Sequence, residues 1–516
     1  MKKWNESGHI TVFLSMAFLV FTGLAFCVLE GIHGYMESSL AEEAFEEAGN
    51  EILADYDRHL FRKYHVFFLD PREKGYLKGD AIYFLNHYGT SGTYGFHCPD
   101  LIVTDEKTAV DEKGLFLRSQ ISKYMTLQKR VRTGRDIIQL LHSVKDLQRV
   151  PRDNFGDFGE NIGEELPPED DNEGADENEN SDGENSRETD PEIVKDKKSW
   201  TDLRQLLNQV IHSGVLLYAS DGTGKISDSF IRKEGLPSAD LRGIPSGREK
   251  DMAFSWYKLS RCREYLEVLD CNDAGTTDLS ENRDLLEYLL QCFSCYGTLN
   301  NKESGGLLYE LEYLIAGKRS DRDNLRSVAD RILLLRFMTN YSFASRDPGI
   351  RAEAEALAES LTDLMDFPDG KETVCHLLTA ALSYGESLLE LHALLAGEKV
   401  AVKKDASSWN LNFDNAAAIL REKSPIRHVD KGAAYKDYLR LFLLLKCRDE
   451  VFLYRMMDIM QVNTALKEPG FRMKNCLFSF RWTGEIQCAR WFVNLPGIKK
   501  SQDSMFEVKL CRVVSY

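Results

Sequence analysis

Cys292 and Cys295 form a C-x-x-C pair in the stretch QCFSCYG, one of a few places in this 516-residue chain where reactive side chains stand at suggestive spacings. On a helix that spacing turns both sulfurs to one face, where a disulfide, a metal or a pair of buried thiols would each be at home. A structural zinc site asks for two such pairs or for added histidines. Cys262 and Cys271, the nearest other cysteines, have no characteristic spacing, and the total of 11 is odd for a disulfide framework. A thioredoxin-type motif would need a βαβ unit beside it, and the flanking sequence shows none. Buried free thiols are the first expectation, a disulfide the second, and metal or redox chemistry the third.

The remaining stretches are weaker. LLYELEYLI, residues 307–315, fits helix or strand. As a strand it would turn Glu310 and Glu312 to the same face, as an acid–base pair stands, but nothing local would raise one pKa. Two solvated carboxylates are expected. VLLYASDGTGKIS has a strand-like run, a Gly-rich turn and Lys225. Ala219, however, holds the first glycine position of a phosphate loop and Ile226 the hydroxyl position, so a hairpin turn is expected. Asn178, Asn180, Asp182 and Gly183 match the first half of a calcium loop, yet the loop starts on Asn and its twelfth residue is Thr189, where a bidentate Glu is required. Loose association with divalent ions is all that this spacing supports. No Ser-His-Asp, H-E-x-x-H or G-x-S-x-G pattern occurs, and His376 in VCHLLTA is expected as a packed or partly exposed helical histidine. The sequence thus points to no catalytic residue, metal site or cofactor, and to a non-enzymatic role.

What must hold these stretches in place begins with SGHITVFLSMAFLVFTGLAFCVLEG, from Ser7. Ile10 to Leu29 contains no charged residue, and a helix of roughly twenty residues at ~1.5 Å each matches a ~30 Å hydrocarbon core. The run ends in Cys27-Val28-Leu29-Glu30, without the small residues of a signal-peptidase site, so a retained span is expected. Lys2 and Lys3 precede it and Glu30, Glu37, Glu42, Glu43, Glu46 and Glu47 follow it. Counted by the lysines, the N-terminus is cytoplasmic and the rest of the chain lies outside the cell membrane.

Charge adds little about partners. The formal net charge is −17, but residues 151–200 carry 18 acidic and 5 basic side chains, which leaves only −4 for everything else. That acidic stretch has few large apolar residues and cannot bury enough surface to offset the entropy of ordering, so it is expected as a disordered linker. No basic patch with interleaved aromatics appears, and nucleic acid is not expected as a partner.

Beyond the span, Tyr35, Leu40, Ala44, Phe45, Ala48, Ile52 and Leu53 recur with helical spacing, so the helix is expected to continue as a stalk to about Tyr64, weakened by Gly31, Gly34 and Gly49. HVFFLDP reads as a strand stopped by Pro71, followed by a short helix, a strand near Leu101–Thr104 and one or two helices between Leu115 and Leu147. From about Trp200 the pattern is mainly helical, with a capping pair at Ser320 and Asp323. The very apolar 433–461 is interrupted by Lys436, Arg440, Lys446 and Arg448, and reads as a core helix rather than a second span. NCLFSFRW and MFEVKLCRVVSY alternate as strands. The fold class is therefore α+β: an N-terminal transmembrane helix extended as a stalk, and a mainly helical ectodomain with C-terminal antiparallel strands. The expected divisions are a leader 1–9, the span 10–29, stalk and first α+β segment 30–150, acidic linker 151–199, and a helical segment 200–516 ending in strands.

The N-terminal stretch, with EEAGNEILADYDRHLFRKYHVFFLD, LLYELEYLIAGKRSDRDNLRSVADRILLLR, YKDYLRLFLLLKCRDEVFLYRMMDIMQ and the chain end FRMKNCLFSF…VVSY, resembles an uncharacterised single-pass membrane protein family. Members are encoded in Firmicutes beside Tad/Flp-type pilus genes, and the N-terminus is similar to TadE/TadG-type pseudopilins. The resemblance implies a membrane-anchored surface accessory or minor-pilin-like protein of a Tad-type pilus or secretion system, with the bilayer and pilin-like or Tad assembly proteins as partners. An anchored extracytoplasmic enzyme or sensor is the alternative. By prepilin logic Gly8 would be the cleaved residue and His9 the new N-terminus. The fifth mature position is then Phe13, where pilins carry a Glu that registers one subunit against the next. That departure argues against ordinary polymerisation, and a plain anchor that merely starts at Gly8 is the competing expectation.

Overall fold

A single helix, α1 (Ser7–Ala54), carries the chain from the apolar run straight through the three glycines. The structure is a computed structural model that describes residues 7–71, 74–90, 95–128, 191–220, 226–239, 276–297, 306–365, 370–429, 432–447, 450–490 and 505–516. The leader lysines, residues 151–190 of the acidic segment, the calcium-like stretch and Lys225 lie outside those residues. The described chain forms two compact units, one built from residues 1–120 and 467–516, the other from 121–466.

In the first unit α1 is followed by α2 (Arg58–Tyr64), α3 (Lys74–Thr90), β1 (Phe96–His97), β2 (Leu101–Thr108) and the start of α4 (Leu115–Gln128); the chain end adds β3 (Leu477–Ala489) and β4 (Met505–Ser515). The sheet is antiparallel throughout. β3 is central: β4 runs the length of one edge, and β1 and β2 share the other. Both C-terminal strands therefore form as expected, and they pair with residues from near the chain start. Phe506, Val508 and Leu510 turn toward the core as the alternation requires, although only Leu510 is fully buried.

α1 does not stand free of this sheet. Ala41, Ala44, Phe45, Ala48 and Ile52, spaced three or four apart, form its buried stripe. The Phe45 and Trp482 ring centroids are 5.0 Å apart. Two glycines set the distance between helix and sheet. A Cβ on Gly49 would lie 2.9 Å from Val514 Cγ2 and 3.1 Å from the Trp482 ring, and one on Gly484 of β3 would lie 3.0 Å from the Phe45 ring. Gly49 is thus a close-approach residue, not a weak point in a stalk. The helix also ends earlier than expected, at Ala54, because Asp57 breaks away to cap α2: Leu60 N–H donates to its Oδ1 at 2.7 Å.

HVFFLDP does not join the sheet as a strand. Its backbone groups are engaged elsewhere: Gln120 brackets Phe67, accepting from its N–H (2.6 Å) and donating to its carbonyl (2.7 Å), and Asp57 N–H donates to Phe68 O. Only Leu69 bridges to Leu477.

The second unit is helical. Its described elements are α5 (Pro191–Ser213), α6 (Val215–Ala219), α7 (Thr276–Cys292), α8 (Glu310–Ala316), α9 (Asp321–Ala344), α10 (Pro348–Met365), α11 (Lys371–Ala396), α12 (Ala416–Glu422), α13 (Tyr435–Lys446) and α14 (Glu450–Ala465). Val215–Ala219, expected as a strand, is a short helix, and the apolar 433–461 is divided between α13 and α14. α11 packs against both α9 and α10, and α8 against α9, α13 and α14. Ser320 caps α9 as expected, accepting from Asp323 N–H at 3.1 Å. Among the described residues α1 is the one helix long and apolar enough to cross a membrane.

If Gly49 sets the helix–sheet distance, Gly49→Leu should cost about 2 kcal/mol by overpacking and lower the melting of this unit by roughly 4–8 °C. Gly31→Leu is the control, since nothing lies within 4 Å of a Cβ there. Thermal unfolding of the detergent-solubilised chain, followed by tryptophan fluorescence, compares the two; equal midpoints would mean the close approach does not constrain the fold.

Candidate functional site

The first part of α1 presents its apolar side chains outward on all sides. Phe13, Phe18, Leu19, Val20 and Phe21 are each 70–72 % exposed. A helix apolar all round needs an apolar surrounding, either lipid or other helices. Two of its hydroxyls are satisfied within the helix, Ser15 Oγ donating to Val12 O (2.8 Å) and Thr22 Oγ1 to Phe18 O (2.5 Å). Gly8 and His9 lie in the first turn of the same helix. The bare part passes into the embedded part at Gly34, which faces the Phe506 ring, and at Glu37, which is buried. Glu37 Oε1 accepts from Gly95 N–H (3.3 Å) and lies 3.8 Å from His33 Nε2; burial pushes this carboxyl up to about 7, against the Gly95 bond.

The C-x-x-C pair is not on one helix face. α7 ends at Cys292, and Cys295 is buried in the turn that follows; both are free thiols. The same turn meets the two glutamates. Glu310 Oε2 accepts from Ser294 N–H (2.8 Å) and Ser294 Oγ (3.1 Å), and Glu312 Oε1 accepts from Tyr296 N–H (2.9 Å) and Tyr435 Oη (2.8 Å). Neither carboxylate is solvated: both have 0 % exposure, on a helix whose seven residues are all buried. The expectation of a solvated pair fails because α8 sits among α9, α13 and α14.

A helix buried end to end must satisfy its own terminal groups without water. Asp321 accepts from the N–H groups of Leu308 (2.9 Å) and Tyr309 (3.0 Å), just ahead of α8. Arg455 Nη1 donates to the carbonyls of Leu314 (3.0 Å) and Ile315 (3.1 Å), and Lys233 Nζ to that of Gly317 (2.5 Å). Asn463 Nδ2 donates to Glu310 Oε1 (2.7 Å), while Tyr313 Oη donates to Asp458 Oδ2 (2.7 Å). Glu312 Oε2 alone of this carboxyl set is buried without a hydrogen-bond partner. Burial pushes Glu312 up to about 7, opposed by the Tyr296 and Tyr435 bonds. No substrate atom has an approach to carboxyls at zero exposure, so this set anchors α8 rather than performing acid–base chemistry on a ligand.

A second buried set was not foreseen. Arg336 of α9 grips Glu390 of α11 with two bonds of 2.8 Å and donates to Ala401 O (2.8 Å). Lys404 Nζ reaches Glu386 Oε1 (2.6 Å), Glu390 Oε1 (2.8 Å) and Ser408 O (2.7 Å). Glu386 also accepts from the N–H groups of Asn410 and Leu411. Two cations and two anions balance, and the set staples the 399–412 segment to α9 and α11, the two longest helices among the unit's described residues. Arg336 and Lys404 outweigh burial and hold Glu390 down at about 2, whereas burial keeps Glu386 above its ordinary value despite Lys404. The available signal was charge within apolar runs: LLLRFM around Arg336, and Glu386 and Glu390 four apart in ESLLELHALL. His376 is a packed helical residue as expected, 3.0 Å from Tyr341 Oη, and burial lowers its pKa.

The Glu312 proton gives a signed prediction. Its folded pKa lies above the ordinary 4.5, so its contribution is complete below pH 4.5 and is lost as pH rises through about 7. Native stability should fall by ~3 kcal/mol across that window on this account, and Glu312→Gln should remove that part of the slope. Urea unfolding of both proteins between pH 4.5 and 8 measures the difference; parallel curves would show that Glu312 does not hold a proton.

No curated protein and no solved structure matches the chain. A family model matches residues 193–488, more than half of the chain, from the third residue of α5 to the penultimate residue of β3. The chain belongs to the family of unknown function DUF5702.

Proposed function

We propose that the protein is a membrane-anchored cell-surface accessory, or minor-pilin-like component, of a Tad-type pilus or secretion system in a Firmicutes envelope, and that it acts by binding rather than catalysis. The observation that supports this reading most is the continuity of α1. Ile10–Leu29 is bare and apolar, and from Glu37 onward the same helix is part of a folded core. A lateral partner or the bilayer can therefore hold the first part without remodelling the second. Lys2 and Lys3 favour a cytoplasmic N-terminus, with the two units outside. Phe13, in place of a registering Glu, suits an accessory better than the repeating subunit of a filament. Gly8–His9 is the bond a prepilin-type peptidase would cut.

Two measurements in the native host test the two halves of this reading. Leu19→Lys combined with Leu24→Lys places two charges at ~3 kcal/mol each within the span and should shift the protein out of the membrane fraction. Deletion of the gene should abolish pili, and the tagged wild type should co-purify with pilin-like proteins. Normal pili together with a membrane-bound protein lacking such partners would overturn the pilus role while leaving the anchor intact.

A further inference from the structure

The sheet of the first unit begins almost where the uncharged run of α1 ends. Ile10–Leu29 as a helix is as long as the hydrocarbon core is thick, ~30 Å, so Leu29 marks the outer boundary of that core. Gly34 follows by only about 7–8 Å of helical rise, and an ordinary tilt shortens that depth further. The headgroup layer is itself about 5–8 Å deep. At Gly34 an added Cβ would lie 3.6 Å from the Phe506 ring of β4. From there β4 runs beside α1 in the same direction: Val514 meets Gly49, and Tyr516 Oη donates to Leu53 O at 2.8 Å. Met505 is therefore the end of β4 nearest the span. β3 ends and β1 begins at the same level, since Ala489 pairs with Met505 and its N–H donates to Gly95 O at 3.2 Å.

The exposed surface changes character just past this level. Val28, Ile32, Tyr35 and Met36 share one face of α1 by their spacing, and the same face continues through Ser39, Glu42, Glu43 and Glu46. Apolar side chains thus stay at the surface to Met36, about 10 Å past Leu29, before carboxylates take over. Ile32, Tyr35 and Met36, with Met505 from the sheet, are 44–78 % exposed. Apolar residues scattered singly over a surface are ordinary. These four stand at one level, on two different elements, and continue the bare span without a gap. Tyr35 also has the composition of an interface residue, an apolar ring with a polar tip.

We propose that this end of the first unit is seated on the bilayer, with Tyr35 and Met505 among the phospholipid headgroups and the carboxylates from Glu42 onward in water. No stalk then separates the unit from the membrane. α1 and β4 rise from the bilayer side by side, and the unit is held at a fixed height and orientation. The proposal deepens the anchor part of the reading above and rests on it; the pilus role does not enter.

The full chain is reconstituted in vesicles of phosphatidylethanolamine and phosphatidylglycerol that carry a labelled tracer phospholipid. The photocrosslinking residue p-benzoylphenylalanine replaces Leu19, Tyr35, Met505 or Ser515, one at a time, and lipid adducts are counted after illumination. Leu19 lies within the span and reports the anchor. Ser515, at the far end of β4, lies about 33 Å beyond Met505. Adducts are expected at Leu19, Tyr35 and Met505, in about tenfold the yield at Ser515, which stands well outside the headgroup layer. Arg490, exposed at the end of β3, takes the place of Met505 if that variant fails to fold. Adducts at Leu19 with Tyr35 and Met505 no higher than Ser515 would overturn the seating and leave the anchor intact. Adducts at Tyr35 without Met505 or Arg490 would overturn it as well, because the helix alone would then meet lipid. Crosslinks from Tyr35 and Met505 to a second copy of the chain in place of lipid would give that surface to a protein contact and overturn it too. An unlabelled Leu19 would overturn the anchor reading and the seating with it.

Discussion

The contact between Phe45 and Trp482 across two glycines is the constraint on which the first unit depends. Gly484 opens a place in β3 for the Phe45 ring, and Gly49 lets the helix backbone come down onto Trp482 and Val514. Either side chain grown by one carbon would push helix and sheet apart, because packed interiors yield little. This contact joins a segment near the chain start to strands at its end, and it turns a helix that lipid or partners can hold into a load path to a folded unit.

Polar groups do comparable work in the second unit. Seven-residue α8 is buried throughout, and its position is fixed by carboxylates and cations that replace the water its neighbouring backbone groups would otherwise bind. The Arg336–Glu390–Lys404–Glu386 set pins the 399–412 segment in the same way. Buried ion pairs contribute little net stability against apolar replacements of the same shape, while loss of one member leaves a charge stranded. Such sets therefore select one arrangement of helices more than they strengthen it.

Much of the fold was legible in the sequence because it is written in local periodicity. The uncharged run from Ile10, the alternation Phe506–Val508–Leu510 and the Ser320 cap each depend on neighbours a few residues away. What was not legible is tertiary. Glu310 and Glu312 look like solvated acids until α9, α13 and α14 close around them. HVFFLDP has strand composition, yet Gln120, 53 residues away, occupies the hydrogen-bonding groups of Phe67. Gly49 reads as a helix weakness because helix propensity says nothing of Val514. Cys292 and Cys295 keep their thiols, but a helix end between them removes the shared face that the spacing implied.

One continuous helix serves as both anchor and core element, and hydrogen exchange tests that most directly. The full chain would be followed by mass spectrometry in lipid nanodiscs and in mild detergent. Amides of residues 38–54 should exchange as slowly as those of β3, and in both media, because they open only when the unit opens. Amides of 38–54 exchanging quickly while β3 stays protected would contradict the account, since α1 would then be a tether beside the sheet and not part of its core.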